Sequence, residues 1–157
     1  MTEFLPLAAK AIPNFAGLKF TDNDLATYGL CVERAGDKQE VFFGPDEMLL
    51  AGLSMGARSA VGSTYNFAAP VYQRVHEAYA RNDLAEARRW QLMATRMIET
   101  AVSYGGLPAF KAMMRWFGDD CGPCRLPTVT LDEASVERLR AELEDQGCLA
   151  AAAGDER

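Results

Sequence analysis

The sequence predicts an α/β fold in which short parallel strands alternate with helices and then give way to a helical second half. Three observations carry this. Apolar runs of strand length in the first half end at strong helix-start signals. Strand, helix, strand, helix, strand follow one another at the spacing of βαβ units, whose crossovers are right-handed. After Asn66 the apolar period becomes helical and stays so.

Each element follows from local chemistry. Thr2 to Lys10 reads as a short helix with Pro6 near its start, stopped by Ile12-Pro13. Ala16 to Phe20 is the first strand, ending at Thr21-Asp-Asn-Asp24, which opens a helix running to Ala35 and closed by Gly36. Val41 to Phe43 is the second strand, broken by Gly44-Pro45 and followed by a helix from Asp46 to Met55. Ser59 to Gly62 is the third. The strands lack clean alternation and are expected to be buried on both faces.

Beyond Asn66, Ala68, Tyr72, Val75 and Tyr79 form one stripe, and Leu84, Ala87, Trp90, Ala94, Met97, Ile98 and Ala101 another. Leu107 to Phe117 is a shorter helix between glycines. Thr130-Leu-Asp-Glu133 has capping-box spacing and opens a last helix with Val136, Leu139 and Leu143 facing inward. The tail from Leu149 to Arg157 is expected to be frayed. The organisation expected is therefore residues 1–66, residues 67–148 as a helical extension, and residues 149–157 as a disordered tail.

Composition narrows the function classes. The chain has 157 residues, a net charge of -6 and four cysteines. Its basic residues are scattered, which argues against nucleic acid, because phosphate binding draws on clustered Lys and Arg. No apolar stretch approaches the ~18 residues of a membrane span, and the start lacks a basic n-region. A cytoplasmic protein with reduced thiols is expected, with no membrane partner.

Lys19 is the first candidate for chemistry. A lysine inside an apolar strand is costly to bury. Burial favours the neutral amine, the form that attacks a ketone to make a Schiff base. An edge lysine that discourages aggregation, or one snorkelling to solvent, fits the same position. Asp46 and Glu47 follow Gly44-Pro45 at the C-terminal end of a strand, where ligands of α/β sheets and barrels bind. Adjacent carboxylates there can accept hydrogen bonds from sugar hydroxyls, and acids in a helix's first turn also favour its dipole. Gly62-Ser-Thr-Tyr-Asn66 occupies an equivalent strand end, as a ligand loop or as a capped helix start. It lacks the Gly-Lys-Ser/Thr ending of a P-loop.

Cys121-Gly-Pro-Cys124 has the spacing of a redox motif, but a helix precedes it and Arg125-Leu-Pro127 follows, so no helix starts at the thiols. One CxxC without a second pair falls short of a zinc site. His76, the single histidine, falls within a helix and assembles no catalytic triad.

Taken together, Gly17-Leu-Lys-Phe-Thr-Asp22, Phe43-Gly-Pro-Asp-Glu47 and Gly56-Ala-Arg-Ser-Ala-Val-Gly-Ser-Thr-Tyr-Asn66 closely resemble the C-terminal half of the N-acetylneuraminate lyase family. Gly122-Pro-Cys-Arg-Leu-Pro127 resembles that family's loop before its last helix. The likeness spans essentially the whole chain, with the motifs in order.

The resemblance implies part of a TIM (β/α)8 barrel, with strands equivalent to the sixth, seventh and eighth followed by C-terminal helices. It implies that Lys19 is the Schiff-base lysine of a class I aldolase and that Thr21 contacts substrate near the reacting carbons. Gly44, Asp46, Glu47 and Ser63 match groups that bind the sugar's polyol portion. No cofactor or metal is implied beyond the covalent lysine adduct. The implied partners are small molecules, sialic acid and pyruvate, and the full-length family is homo-oligomeric.

The resemblance leaves strands one to five of the barrel without a counterpart. The chain is thus expected to be a piece of a larger barrel, inactive alone and prone to self-association. Two other readings stay open: another pyruvate-dependent aldolase or synthase of the dihydrodipicolinate synthase family, and a noncatalytic remnant.

Overall fold

The computed structural model describes residues 1–155 and divides into two compact units, Met1–Gly62 and Ser63–Arg157. The division falls at Gly62, ahead of the 66/67 boundary read from the sequence.

The first unit begins with helix α1 (Phe4–Ala11), which buries Leu5 and Ala8 and stops at Ile12, where the following proline disfavours helical backbone. Strand β1 (Gly17–Phe20) leads to helix α2 (Leu25–Ala35). Asp24 caps α2 by accepting from the Thr27 backbone N–H at 2.9 Å and from its hydroxyl at 2.6 Å. Gly36, with φ 54°, ends the helix in left-handed backbone that favours glycine. Strand β2 (Glu40–Phe43) then pairs parallel with β1, Lys19 opposite Phe42 and Phe20 opposite Phe43.

Alternation along the strands sorts their side chains into two faces. Leu18, Phe20, Val41 and Phe43 turn toward α2 and join Leu5, Tyr28, Cys31 and Ala35 in one apolar cluster. The Phe20, Tyr28 and Phe43 rings meet edge to face, with centroids 5.5 Å and 4.9 Å apart. The opposite face carries Gly17, Lys19, Glu40 and Phe42, of which Lys19 is exposed. The expectation of strands buried on both faces is therefore corrected. The helical cover lies on one side, and no element of the described residues covers Lys19.

After β2 the chain turns through a 3-10 helix (Asp46–Met48) into helix α3 (Leu49–Ser54). Gly52 lets α3 close on Phe43: a Cβ there would stand 2.6 Å from the ring. The third expected strand, Ser59 to Gly62, shrinks to a single parallel bridge between Ala60 and Phe43. It is made by Phe43 N–H to Ser59 O and Val61 N–H to Phe43 O, both 3.0 Å. Pro45, at the next ladder position, has no N–H to give, which ends the pairing on that side. On the other side the Val41 carbonyl accepts the Tyr28 hydroxyl.

In the second unit, helix α4 (Tyr65–Ala80) bends at Ala68, two residues before Pro70, whose ring and missing N–H disrupt the preceding turn. Helix α5 (Leu84–Ser103) is capped by Asp83, which accepts from Glu86 N–H at 3.0 Å, and packs along α4. Of the expected stripes, Ala68, Tyr72, Val75, Ala87, Trp90, Ala94, Met97, Ile98 and Ala101 are buried, whereas Tyr79 is only partly buried and Leu84, at the start of α5, is exposed. Helix α6 (Leu107–Trp116) follows the positive-φ pair Gly105-Gly106.

Helix α7 (Glu133–Asp145) is capped by Asp132, which accepts from Ser135 N–H at 2.7 Å. The cap thus lies two residues past the expected Thr130. The Thr130 hydroxyl instead accepts from Cys124 N–H at 2.9 Å, holding the preceding loop. The expected frayed tail is also corrected. Cys148–Ala153 forms helix α8, with Cys148, Ala151 and Ala152 buried and α8 packed on α4 and α7. Alanine's helix propensity and a buried stripe suffice for this short segment. Of the nominal tail, Glu156 and Arg157 lie outside the described residues.

Candidate active site

The parallel register decides which of the candidate residues belong together. Lys19 lies opposite Phe42, and the Gly44 N–H continues the ladder by donating to Phe20 O at 2.8 Å. Thr21 and Gly44 therefore extend the face that carries Lys19. Gly44 is buried against Thr21. A Cβ at Gly44 would strike the Thr21 hydroxyl and stand 2.7 Å from the Phe20 carbonyl oxygen. Glycine at this position is what allows the two strand ends to meet.

Asp46 and Glu47 sit in the 3-10 turn just past the C-terminal end of β2. Asp46 is buried and packs on Gly62, where an added Cβ would stand 2.8 Å from Asp46 Cβ, Cγ and Oδ2. Glu47 is partly buried. Burial first, and then its hydrogen bond with Asp46 and that residue's charge, push the Glu47 carboxyl above its ordinary value. Neighbouring carboxyls at a strand end offer several acceptor oxygens to ligand hydroxyls. Ser63 belongs to the second unit and is exposed. Its carbonyl accepts from the Asn66 side-chain amide at 2.8 Å, which holds the start of α4.

Sequence reasoning did not single out Glu40, Phe42 or Ser59. The register places Glu40 and Phe42 on the Lys19 face, and Ser59 donates its hydroxyl to Glu40 Oε1 at 2.6 Å. Alternation counted from Lys19 across a parallel partner could have found the first two; the Ser59 contact depends on the bridge at Ala60. The cysteines of the CxxC are both free, Cys121 exposed and Cys124 partly so, in a loop and not at a helix start. Among the described residues no cluster of three or more His, Cys, Asp or Glu could hold a metal, and no helix is long and apolar enough to cross a membrane.

Barrel enzymes place their active sites at the C-terminal ends of their parallel strands, and Asp46 and Glu47 follow that end of β2. Residues 4–146 match the dihydrodipicolinate synthetase family, and the chain belongs to it.

Its relatives are similarly specific. The chain is 37% identical over 145 residues to the N-acetylneuraminate lyase of Gallus gallus, covering 90% of this chain and 47% of that protein. It is 40% identical over 136 residues to that of Mus musculus, covering 85% of this chain and 42% of that protein. Among solved structures, Proteus mirabilis N-acetylneuraminate lyase superposes with TM-score 0.89 at 36% identity, over 95% of this chain and 50% of that one. The dihydrodipicolinate synthase of Cyanidioschyzon merolae superposes with TM-score 0.79 at 25% identity, over 95% and 50%. The chain thus spans about half the length of the relatives it matches.

Proposed function

We propose that this chain carries the nucleophile and sugar-recognition portion of a class I aldolase that cleaves N-acetylneuraminate to N-acetylmannosamine and pyruvate. The observation that carries the reading is the common face of Lys19, Thr21 and Gly44, with Asp46 and Glu47 just beyond it. The names of the relatives support the substrate.

In this reading the Lys19 amine adds to the C2 ketone of the open-chain sugar and water leaves, giving an iminium. Removal of the C4 hydroxyl proton breaks C3–C4, and the bonding pair flows into the iminium to form an enamine. N-acetylmannosamine departs as the aldehyde. Protonation at C3 and hydrolysis then release pyruvate and restore the amine. Thr21 lies near the reacting carbons, while Gly44, Asp46, Glu47 and Ser63 orient the polyol. No metal or dissociable cofactor enters this sequence of steps.

The same reading assigns the pyruvyl carboxylate site and the proton relay to the barrel strands without a counterpart among the described residues. Lys19 then forms an adduct, but efficient turnover needs those groups. Cytoplasmic location and homo-oligomerisation belong to the same proposal. A second reading, another pyruvate aldolase or synthase of the family, is favoured by the close superposition on a dihydrodipicolinate synthase.

Borohydride reduction in the presence of pyruvate tests both. Mass spectrometry should find the reduced pyruvyl adduct on Lys19, absent in Lys19→Arg. A folded protein with no adduct would favour a noncatalytic remnant. Comparing N-acetylneuraminate with other 2-oxo acids as adduct-forming substrates then separates the two aldolase readings.

A further inference from the structure

We propose that the second unit holds a separate binding site for a small organic anion with an apolar body. A cavity of about 590 Å³ opens there, within the size range of small-molecule sites. Phe67, Phe110 and Met114 supply apolar wall, and Phe67 is itself fixed by stacking on Phe117 at 5.9 Å. Lys111 and Arg125 supply two positive charges.

The charge pattern points to the ligand. The chain has 22 Asp and Glu against 16 Lys and Arg, yet no acidic residue lines this cavity. Two cations on a lining without a carboxylate favour an anion there, with Asp120 and Glu133 confined to the neighbouring pocket that Lys111 also borders. Lys111 is held in place because its ammonium donates to Pro123 O at 2.8 Å, which leaves it further donors. The guanidinium of Arg125 is exposed and suits bidentate recognition of a carboxylate. The loop bearing Arg125 is itself tied down, with Cys124 N–H donating to the Thr130 hydroxyl and Gly122 N–H to Asp120 Oδ1 at 2.8 Å.

This site uses residues of the second unit alone and shares only the lining residue Ser63 with the aldolase reading. It does not require Lys19 chemistry.

Cys121 provides a reporter, since it lines the cavity and is exposed, whereas Cys31 and Cys148 are buried. Alkylation by iodoacetamide would be followed by peptide mass spectrometry with phenylacetate, its neutral analogue phenylacetamide, or acetate as probe. Phenylacetate should slow labelling of Cys121 in a saturable way, with phenylacetamide and acetate at least tenfold weaker. Arg125→Gln should raise the half-protecting phenylacetate concentration at least tenfold, and Lys111→Gln should raise it to a lesser degree. Continued silence of Cys31 and Cys148 would verify that each variant is folded. Equal protection by acid and amide, protection unchanged in both variants, or no protection in folded protein would each overturn the proposal. A pyruvate adduct on Lys19 would be unaffected by these outcomes, so the two readings fail separately.

Discussion

The Tyr28 hydroxyl donates to the Val41 carbonyl oxygen at 3.1 Å, tying helix α2 to strand β2 inside the first unit. Burial, and then the nearby Glu40 charge, push the phenol up to about 12. Tyr28→Phe keeps the ring packing and deletes the bond. It is expected to cost about 1 to 3 kcal/mol, the upper end applying if the carbonyl stays unsatisfied. Urea unfolding would measure the loss, and spectrophotometric titration should lose a phenol component near pH 12.

Gly44→Ala puts a methyl against the Thr21 hydroxyl and the Phe20 carbonyl, neither of which can move without opening the strand pair. A destabilisation of about 1 to 3 kcal/mol is expected, in the range of overpacked sites. The Lys19 adduct with pyruvate should fall with it, since Thr21 shifts. Gly36→Ala is the control. It faces open space, so it carries only the backbone strain of its positive φ, about 1 to 3 kcal/mol, and should leave adduct formation intact in folded protein. Thermal melts and adduct mass spectrometry together check both.

Burial pushes the Cys148 thiol from 9.0 up to about 11. An unfolded chain ionises this thiol near the ordinary value while the folded one keeps its proton. The stabilisation is fully present below pH 9 and is lost as pH rises toward about 11. Urea midpoints across this window should fall more steeply for the natural chain than for Cys148→Ala. Parallel slopes would refute the assignment.

One edge of β1 has no strand beside it among the described residues, and α1 exposes Phe4 at 49% and Leu7 at 65%. Bare strand edges and apolar patches promote association. Sedimentation should show mass increasing with concentration, and Leu7→Glu should reduce that increase without lowering the melting temperature. A monomer at every concentration, melting sharply, would contradict the expectation.

Much of the first unit was legible because local signals agreed. Asp24 before an apolar period fixes the start of α2, and Gly36 its end, as the structure finds. The third strand was not, because its fate rests on a distant partner: Pro45 removes the donor that would extend the ladder, a fact that no window around Ser59 contains. The cap of α7 was misplaced because Thr130 and Asp132 both satisfy cap chemistry, and only the loop through Cys124 decides between them. Lys19 lies within a strand, as its apolar neighbours suggest, but the expectation of burial presumes cover on both faces. The alternation of Leu18 and Phe20 toward α2 points Lys19 the other way.

Parallel pairing also directs the backbone of that lysine. Ala16 and Phe20 accept bonds from β2, so the peptide N–H and C=O of Lys19, one step out of phase, point toward the bare edge. Its amide proton should consequently trade with deuterated solvent far sooner than those of Phe42 or Gly44. Any polypeptide that settles along β1 as a further strand would slow that trade at the residue whose side chain is proposed to hold pyruvate. Deuterium uptake at this single amide therefore counts completed sheets, independently of whether any sugar is cleaved.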